Sequence, residues 1–200
     1  MIKEKNILKR IIFIKERIVF CNLIILLFIS ILYESNSQNL FKSQDSIITL
    51  RVSKNGTQKV FYDNNDYGCN PITPPTKVFV DETQKVPYNS YDLNTGNVVK
   101  LVWDIPITEC NCMFHDCETI IEMNFIEFDT SRCNTMMGMF YGCQSLTSLN
   151  LSSFDTSSIT NMSDMFGNCY SLISLDITNF DTTSVTRGMG HTFSNCFSLR

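Results

Sequence analysis

The second half of the chain repeats itself with a period of about 26 residues. The pentapeptide Met-Phe-x-x-Cys occupies residues 113–117, 139–143 and 165–169, and residues 192–196 carry the weaker form Thr-Phe-Ser-Asn-Cys. A second series, Phe-Asp-Thr followed by Ser or Thr, keeps the same register at residues 128–131, 154–157 and 180–183. Self-similarity at a fixed period of this length is typical of proteins whose repeats stack on one another. We therefore expect the apolar residues to be buried between successive repeats.

Each period also contains a segment with the spacing LxxLxL, at residues 146–151 and 172–177 and in degenerate form at 120–125. This spacing is the strand signature of a leucine-rich repeat. Met162 and Met165 share a face of a helix, so a short helical or 3₁₀ turn is expected after each strand. The predicted fold class is α/β: a leucine-rich-repeat solenoid of parallel strands and short helical turns over residues 98–200. Within it, Phe140, Phe154, Phe166 and Phe180 are expected to be buried.

The run from Ser148 to Cys169 resembles the repeat of the BspA-like leucine-rich-repeat surface proteins, a mycoplasma-type repeat of unknown function that is abundant in protists. The resemblance covers roughly residues 98–200, with one extra residue before Phe193 and Cys133 in place of a β-branched residue. It implies a secreted or surface-displayed protein that binds other macromolecules without catalysis. Bacterial relatives are associated with adhesion.

The N-terminus has the layout of a secretory signal. Basic residues precede a largely apolar run over residues 18–32, and small polar residues suited to cleavage follow it. The run is shorter than the roughly 20 residues of a membrane span. We predict a cleaved signal peptide over residues 1–37, with an uncleaved signal anchor as the alternative, and a protein that is secreted or held at the cell surface.

Residues 38–97 lack the repeat and are predicted to form an antiparallel β cap that shields the first repeat from water. Residues 46–52 alternate in the manner of a strand, Asn55-Gly56 favours a turn, and residues 57–62 continue as a strand. These two strands are expected to pair as a hairpin. A separate recognition module is the alternative interpretation of this region.

The chain has nine cysteines. Cys117, Cys143, Cys169 and Cys196 share one repeat position and are predicted to form a ladder of free, buried thiols, since buried thiols behave as small hydrophobes. Cys112 is the one member of the segment 110–117 without a packing explanation, and a disulfide to Cys69 or another loop cysteine is an alternative for it. Alternating inside and outside positions cannot converge on one ion, so no zinc site is expected.

No catalytic or cofactor site is predicted. His115 aligns with Tyr141 and Gly167, a repeat position expected to be exposed, and the sequence contains no GxSxG, HExxH, P-loop or GxGxxG motif. The aligned carboxylates of Asp129, Asp155 and Asp181 are each followed by hydroxyl residues, so they are expected to cap turns rather than bind calcium.

Charge argues against nucleic acid as a partner. Beyond residue 37 the chain carries ten basic and seventeen acidic residues, whereas phosphate-backbone binding needs basic patches. The function that remains is protein or glycan binding on another cell or matrix, through polar residues that alternate with the apolar positions of the strands. This candidate binding face comprises Glu122, Asn124, Ser148, Asn150, Ser174 and Asp176.

The alternative function is that of a structural surface-coat component that self-associates. The sequence stops where a further repeat strand is due, so it is expected either to be C-terminally incomplete or to associate end to end through an open sheet edge. Three N-x-[ST] sequons make Asn55, Asn150 and Asn161 possible glycosylation sites in a secretory pathway, with Asn55 favoured because it lies in a turn.

Overall fold

The computed structural model describes residues 45–62, 69 and 73–200. The predicted signal peptide, residues 1–37, lies outside the described residues and stays a prediction. Within the described part of the chain, no helix has the length and hydropathy needed to cross a membrane.

Nine strands and no helix make up the regular structure of the described residues. The strands are β1 (Ser46–Val52), β2 (Gly56–Lys59), β3 (Lys77–Val80), β4 (Thr83–Lys85), β5 (Ser90–Leu93), β6 (Val98–Trp103), β7 (Ile120–Ile126), β8 (Ser148–Asn150) and β9 (Ser174–Asp176).

The largest sheet is antiparallel and has the strand order β4-β3-β6-β1-β7. In β1 the alternating pattern buries Ile48, Leu50 and Val52 on one face, as a period of two requires. Leu101 of β6 lies opposite Ile48, and Met123 of β7 lies opposite Leu50. A second antiparallel pair joins β2 to β5, and β8 pairs in parallel with β9.

The predicted hairpin between residues 46–52 and 57–62 is wrong. Both strands form, but β1 pairs with β6 and β7 while β2 pairs with β5. Each edge of β1 is occupied by a strand with buried apolar residues of its own, such as Val99 and Met123. Burial of apolar surface from distant segments therefore outweighs the local turn preference of Asn55-Gly56.

The predicted α/β leucine-rich-repeat solenoid is also wrong. The described residues contain no helix, and the principal sheet is antiparallel. The degenerate first copy of the repeat strand, β7, does not begin a parallel sheet, because it pairs antiparallel with β1. Parallel pairing between named strands is confined to the three-residue strands β8 and β9. The antiparallel region and the first repeat thus share one sheet, and the division into a cap and repeats at residue 97 stays a prediction.

Backbone conformation explains why no helical turn forms. In each repeat, two positions near the Met-Phe pair adopt positive φ, for example Asp164 (57°) and Asn168 (58°). The left-handed region is incompatible with a right-handed helix. The segment instead makes successive tight turns, in which Met165 N–H donates to Met162 C=O (3.3 Å) and Cys169 N–H donates to Phe166 C=O (3.3 Å). The spacing of three residues is thus that of turns rather than of a helix.

Successive repeats contact one another in register. Cys112 N–H donates to Met137 C=O (2.9 Å), Gly138 N–H to Ser163 C=O (2.9 Å) and Asp164 N–H to Gly190 C=O (2.9 Å). Four phenylalanines of the Met-Phe position form a column of parallel rings, with centroids 5.9, 5.5 and 5.4 Å apart in order along the chain. These rings are Phe114, Phe140, Phe166 and Phe193. Each repeat therefore makes the same ring and backbone contacts with the next one.

Burial follows the repeat pattern. Phe140, Phe154 and Phe166 are buried, which confirms that expectation for three of the four named rings, whereas Phe180 is only half-buried. One continuous apolar core links Ile48 of β1 to Leu172 of the last repeats. A second, smaller cluster consists of Tyr62, Cys69 and Cys112.

The cysteines divide into two disulfides and a ladder. Cys69 pairs with Cys112, which is one of the alternatives raised by the sequence. Cys110 pairs with Cys133, a disulfide that the sequence analysis did not predict. The ladder residues are free as predicted: Cys117, Cys143 and Cys169 are buried, but Cys196 is only half-buried. Burial raises the pKa of Cys169 to about 12, so this thiol stays protonated.

Candidate binding surfaces

The six residues predicted as a binding face, here called the strand face, are all exposed. They lie on β7, β8 and β9, where the neighbouring residues Met123 and Leu149 point into the core. Alternation along each strand therefore sends the polar side chains outward. In β8 and β9, Ser148 lies beside Ser174 and Asn150 lies beside Asp176.

The β7 part of the strand face is held by polar contacts. Arg51 Nε lies 3.2 Å from Glu122 Oε2, across the β1–β7 pair. Asn124 Nδ2 donates to the other carboxylate oxygen of Glu122 (2.9 Å). Both members of the ion pair are about half exposed, so the pair orients side chains more than it stabilises the fold.

The β8–β9 part is held by local turns. Asn150 Oδ1 accepts from Ser152 N–H (3.1 Å), and Asp176 Oδ1 accepts from the N–H and hydroxyl of Thr178 (3.0 and 2.7 Å). The Thr178 backbone and side-chain hydrogen bonds lower the pKa of Asp176. Asp176 is therefore ionised at neutral pH.

The three sequon asparagines occupy different environments. Asn55 is exposed, and its Oδ1 accepts from Thr95 N–H (2.7 Å). Asn150 is exposed on the strand face. Asn161 is half-buried, and its backbone bridges to Thr135 and to Gly188 of the two flanking repeats. A glycan at Asn161 would therefore disturb contacts between repeats, unlike one at Asn55 or Asn150.

The aligned carboxylates cap turns, as the sequence predicted. Asp129 Oδ1 accepts from Ser131 N–H (2.9 Å), and Asp155 Oδ1 accepts from Ser157 N–H (3.0 Å). Asp181 and Thr183 repeat the contact at 2.8 Å. Within the described ranges, no group of three or more His, Cys, Asp or Glu side chains is placed to hold a metal ion.

A second surface was missed by sequence reasoning. A cleft of about 430 Å³, here called the turn cleft, opens where the Met-Phe-x-x-Cys turns of three repeats meet. It is lined by Cys112, His115, Asp116, Met137, Gly138, Tyr141, Asp164 and Asn168. All of these except Met137 come from three repeat positions at which the residue type differs between repeats: 112, 138 and 164; 115 and 141; and 116 and 168. The Met, Phe and Cys positions of the same turns are buried. Comparing variable positions across the repeats is the signal that would have found the cleft.

His115 contradicts the expectation of exposure at its repeat position, because it is buried in the wall of the turn cleft. Its ring lies 4.8 Å from the ring of Tyr141 with an interplanar angle of 20°, and 5.1 Å from the ring of Tyr62. Tyr62 precedes the repeats in the chain, so an alignment of the repeats could not show that its ring helps to bury His115. Burial lowers the pKa of His115, and the neighbouring carboxylate of Asp116 raises it by less.

The polar groups of the turn cleft are linked across repeats. Asn168 Nδ2 donates to Tyr141 Oη (2.8 Å), and Asn195 Nδ2 donates to Asn168 Oδ1 (2.7 Å). A Cβ added to Gly167 would lie 2.8 Å from the Tyr141 ring, so the absence of a side chain there makes room for the tyrosine. The cleft is thus built by complementary small and large residues in successive repeats.

Comparison with protein families places more than half of the chain in one of them. Residues 82–200 match the model described as "Mycoplasma protein of unknown function, DUF285". Neither the curated proteins nor the solved structures gave a match.

Proposed function

We propose that this chain, which belongs to the DUF285 family of mycoplasma proteins of unknown function, is a non-catalytic repeat protein of the cell surface or the secreted fraction. Its role is to bind a protein or glycan on another cell or matrix. The family resemblance stated from the repeat sequence supports display at the surface, and the basic and apolar character of residues 1–37 supports export.

The observation that carries the proposal is the strand face. Six polar side chains from three strands are exposed together, and local hydrogen bonds hold several of them, so a partner would meet a pre-organised surface. Pre-organisation reduces the entropy lost when a partner binds. The net negative charge of the chain beyond residue 37 disfavours nucleic acid as that partner.

The experiment is a glycan and host-protein array probed with the full chain and with two variants. Ser148→Arg combined with Ser174→Arg places two bulky charges at adjacent exposed positions of the strand face. Gln84→Arg, on the exposed strand β4 at the opposite edge of the five-stranded sheet from β7, is the matched control. We expect the double variant to lose the array signals that the control retains. Equal signals from both would exclude the strand face as the binding surface.

Self-association as a surface-coat component is a second candidate function. Ile173 is 50% exposed and Phe197 is 78% exposed, and Phe197 stacks on Tyr170 with centroids 5.7 Å apart. Phe197 occupies the repeat position of Tyr170, which is itself 37% exposed, so the two stacked rings form an apolar surface that suits contact with another chain. Sedimentation of the full chain tests this function: Phe197→Asp should lower the association constant. A wild-type monomer at micromolar concentration would remove it.

A further inference from the structure

The turn cleft has the size of a ligand site. Its volume of about 430 Å³ lies within the range of small-molecule sites. Gly138 keeps it open: its φ is +58°, and an added Cβ would lie 3.4 Å from Cys112 Sγ and 3.6 Å from His115 Cδ2. An added Cβ at Gly142 would collide with the carboxylate of Asp116. Two glycines therefore leave room for the charged and aromatic side chains of the first repeat.

The charge of the turn cleft is negative. Asp116 and Asp164 line it, and no Lys or Arg is among the described residues that do. His115 Nδ1 lies 3.1 Å from Asp116 Oδ2, but the buried imidazole has a lowered pKa and is neutral at pH 7. Lys59 does not line the cleft; its ammonium lies 5.0 Å from the centre of the Tyr62 ring. The described wall of the turn cleft thus offers two carboxylates and no Lys or Arg side chain.

The hydrogen-bonding groups of the turn cleft are mostly acceptors. Asn168 Nδ2 donates one hydrogen bond to Tyr141, and its Oδ1 accepts one from Asn195. The backbone of Asp164 bonds to Gly190 and Gly167, but its half-buried carboxylate forms no hydrogen bond or ion pair with another described residue. A matching ligand must therefore supply donors and positive charge. An ammonium group supplies three donors and a compact charge.

We infer that the turn cleft binds a primary ammonium group through the carboxylates of Asp116 and Asp164. An amino sugar or a lysine side chain carries this chemistry. A metal ion is a poorer occupant, since the described residues offer no cluster of three ligands for one. The inference concerns a surface separate from the strand face, so its failure would leave the proposed macromolecular binding standing.

Isothermal titration of the full chain with matched probes tests the inference. Glucosamine is compared with glucose and N-acetylglucosamine, and Nα-acetyl-lysine methylamide is compared with its Nε-acetylated form. We expect at least one ammonium probe to bind about tenfold or more tightly than its neutral counterpart, because hydrogen bonds to charged groups are the stronger class. The pair that shows the difference identifies whether the ammonium belongs to a sugar or to a lysine side chain.

Two variants complete the test. Asp164→Asn removes the charge and keeps a residue that tolerates the positive φ of this position, so the turn is retained. It should lower the affinity for the ammonium probe about tenfold. Asp92→Asn, at an exposed position of β5, is the control and should leave affinity unchanged. Equal binding of charged and neutral probes, absence of binding by every probe, or equal loss in both variants would overturn the inference.

Discussion

The column of phenylalanine rings allows the same substitution to be compared at two equivalent positions, one inside the column and one at its end. Phe140 is fully buried and lies between Phe114 and Phe166, with ring centroids 5.9 and 5.5 Å away. Replacement by Ala removes the transfer free energy and leaves a cavity, which together cost about 3–5 kcal/mol. Phe193 is 38% exposed and has one ring neighbour, Phe166. Its truncation opens to solvent, so only a fraction of the transfer term remains, about 1–2 kcal/mol.

The difference between the two variants is the quantity to measure. Urea unfolding of the full chain, with both disulfides intact, gives the free energy of unfolding of the wild type, Phe140→Ala and Phe193→Ala. We expect the first variant to lose about 2–3 kcal/mol more than the second, with similar urea dependence in both. Phe140→Leu should recover most of the loss, because it refills much of the volume. Equal destabilisation by the two alanine variants would refute the stacked column as the source of stability.

Three further predictions concern the cysteines and a turn carboxylate. Replacing both Cys110 and Cys133 by Ser should lower the free energy of unfolding by about 3 kcal/mol in urea titrations, because the disulfide closes a loop with a sequence separation of 23; an unchanged midpoint would contradict this. Alkylation at pH 8 followed by peptide mapping should label Cys196 well before Cys169, whose thiol has a raised pKa and is buried; equal labelling would argue against the buried ladder. Hydrogen bonds from Ser157 lower the pKa of Asp155 below its usual 3.8, so its stabilising contribution is complete above the unfolded pKa and is lost as pH falls through the lowered value. Thermal unfolding at pH 5 and pH 3 should therefore show a smaller acid loss for Asp155→Asn than for the wild type, and an identical loss would remove this account of the turn.

Local chemistry was predictable from the sequence. Asp129 and Asp155 cap their turns because a carboxylate followed two residues later by an N–H can form that contact within one tight turn. The outward direction of Ser148 and Asn150 followed from strand alternation alone. Each of these contacts depends on residues that are close in sequence, so no knowledge of the tertiary fold was needed.

Long-range pairing was not predictable in the same way. The segment 120–125 has the apolar spacing of a repeat strand, yet it joins the antiparallel sheet beside β1. Spacing decides which side chains are buried, but it does not decide which neighbouring strand completes the hydrogen bonds. The disulfide of Cys110 and Cys133 has the same origin: these residues align with Met136 and Ile159 of the next repeat, where both positions are buried. The disulfide thus joins two core positions, and their proximity is known only from the tertiary structure.

The two binding surfaces differ in how they use the repeat. On the strand face, Asn150 and Asp176 occupy equivalent positions, and each accepts a hydrogen bond from its own turn. β8 and β9 thus present similar polar groups side by side, which fits the proposed macromolecular partner. In the turn cleft, the equivalent positions carry different side chains, and the differences are complementary: Gly138 makes room beside His115, and Gly167 makes room for Tyr141. A single, non-periodic arrangement of charge and shape arises there. The proposed recognition of one ammonium group rests on this arrangement, in which a change in one repeat is not duplicated in the next.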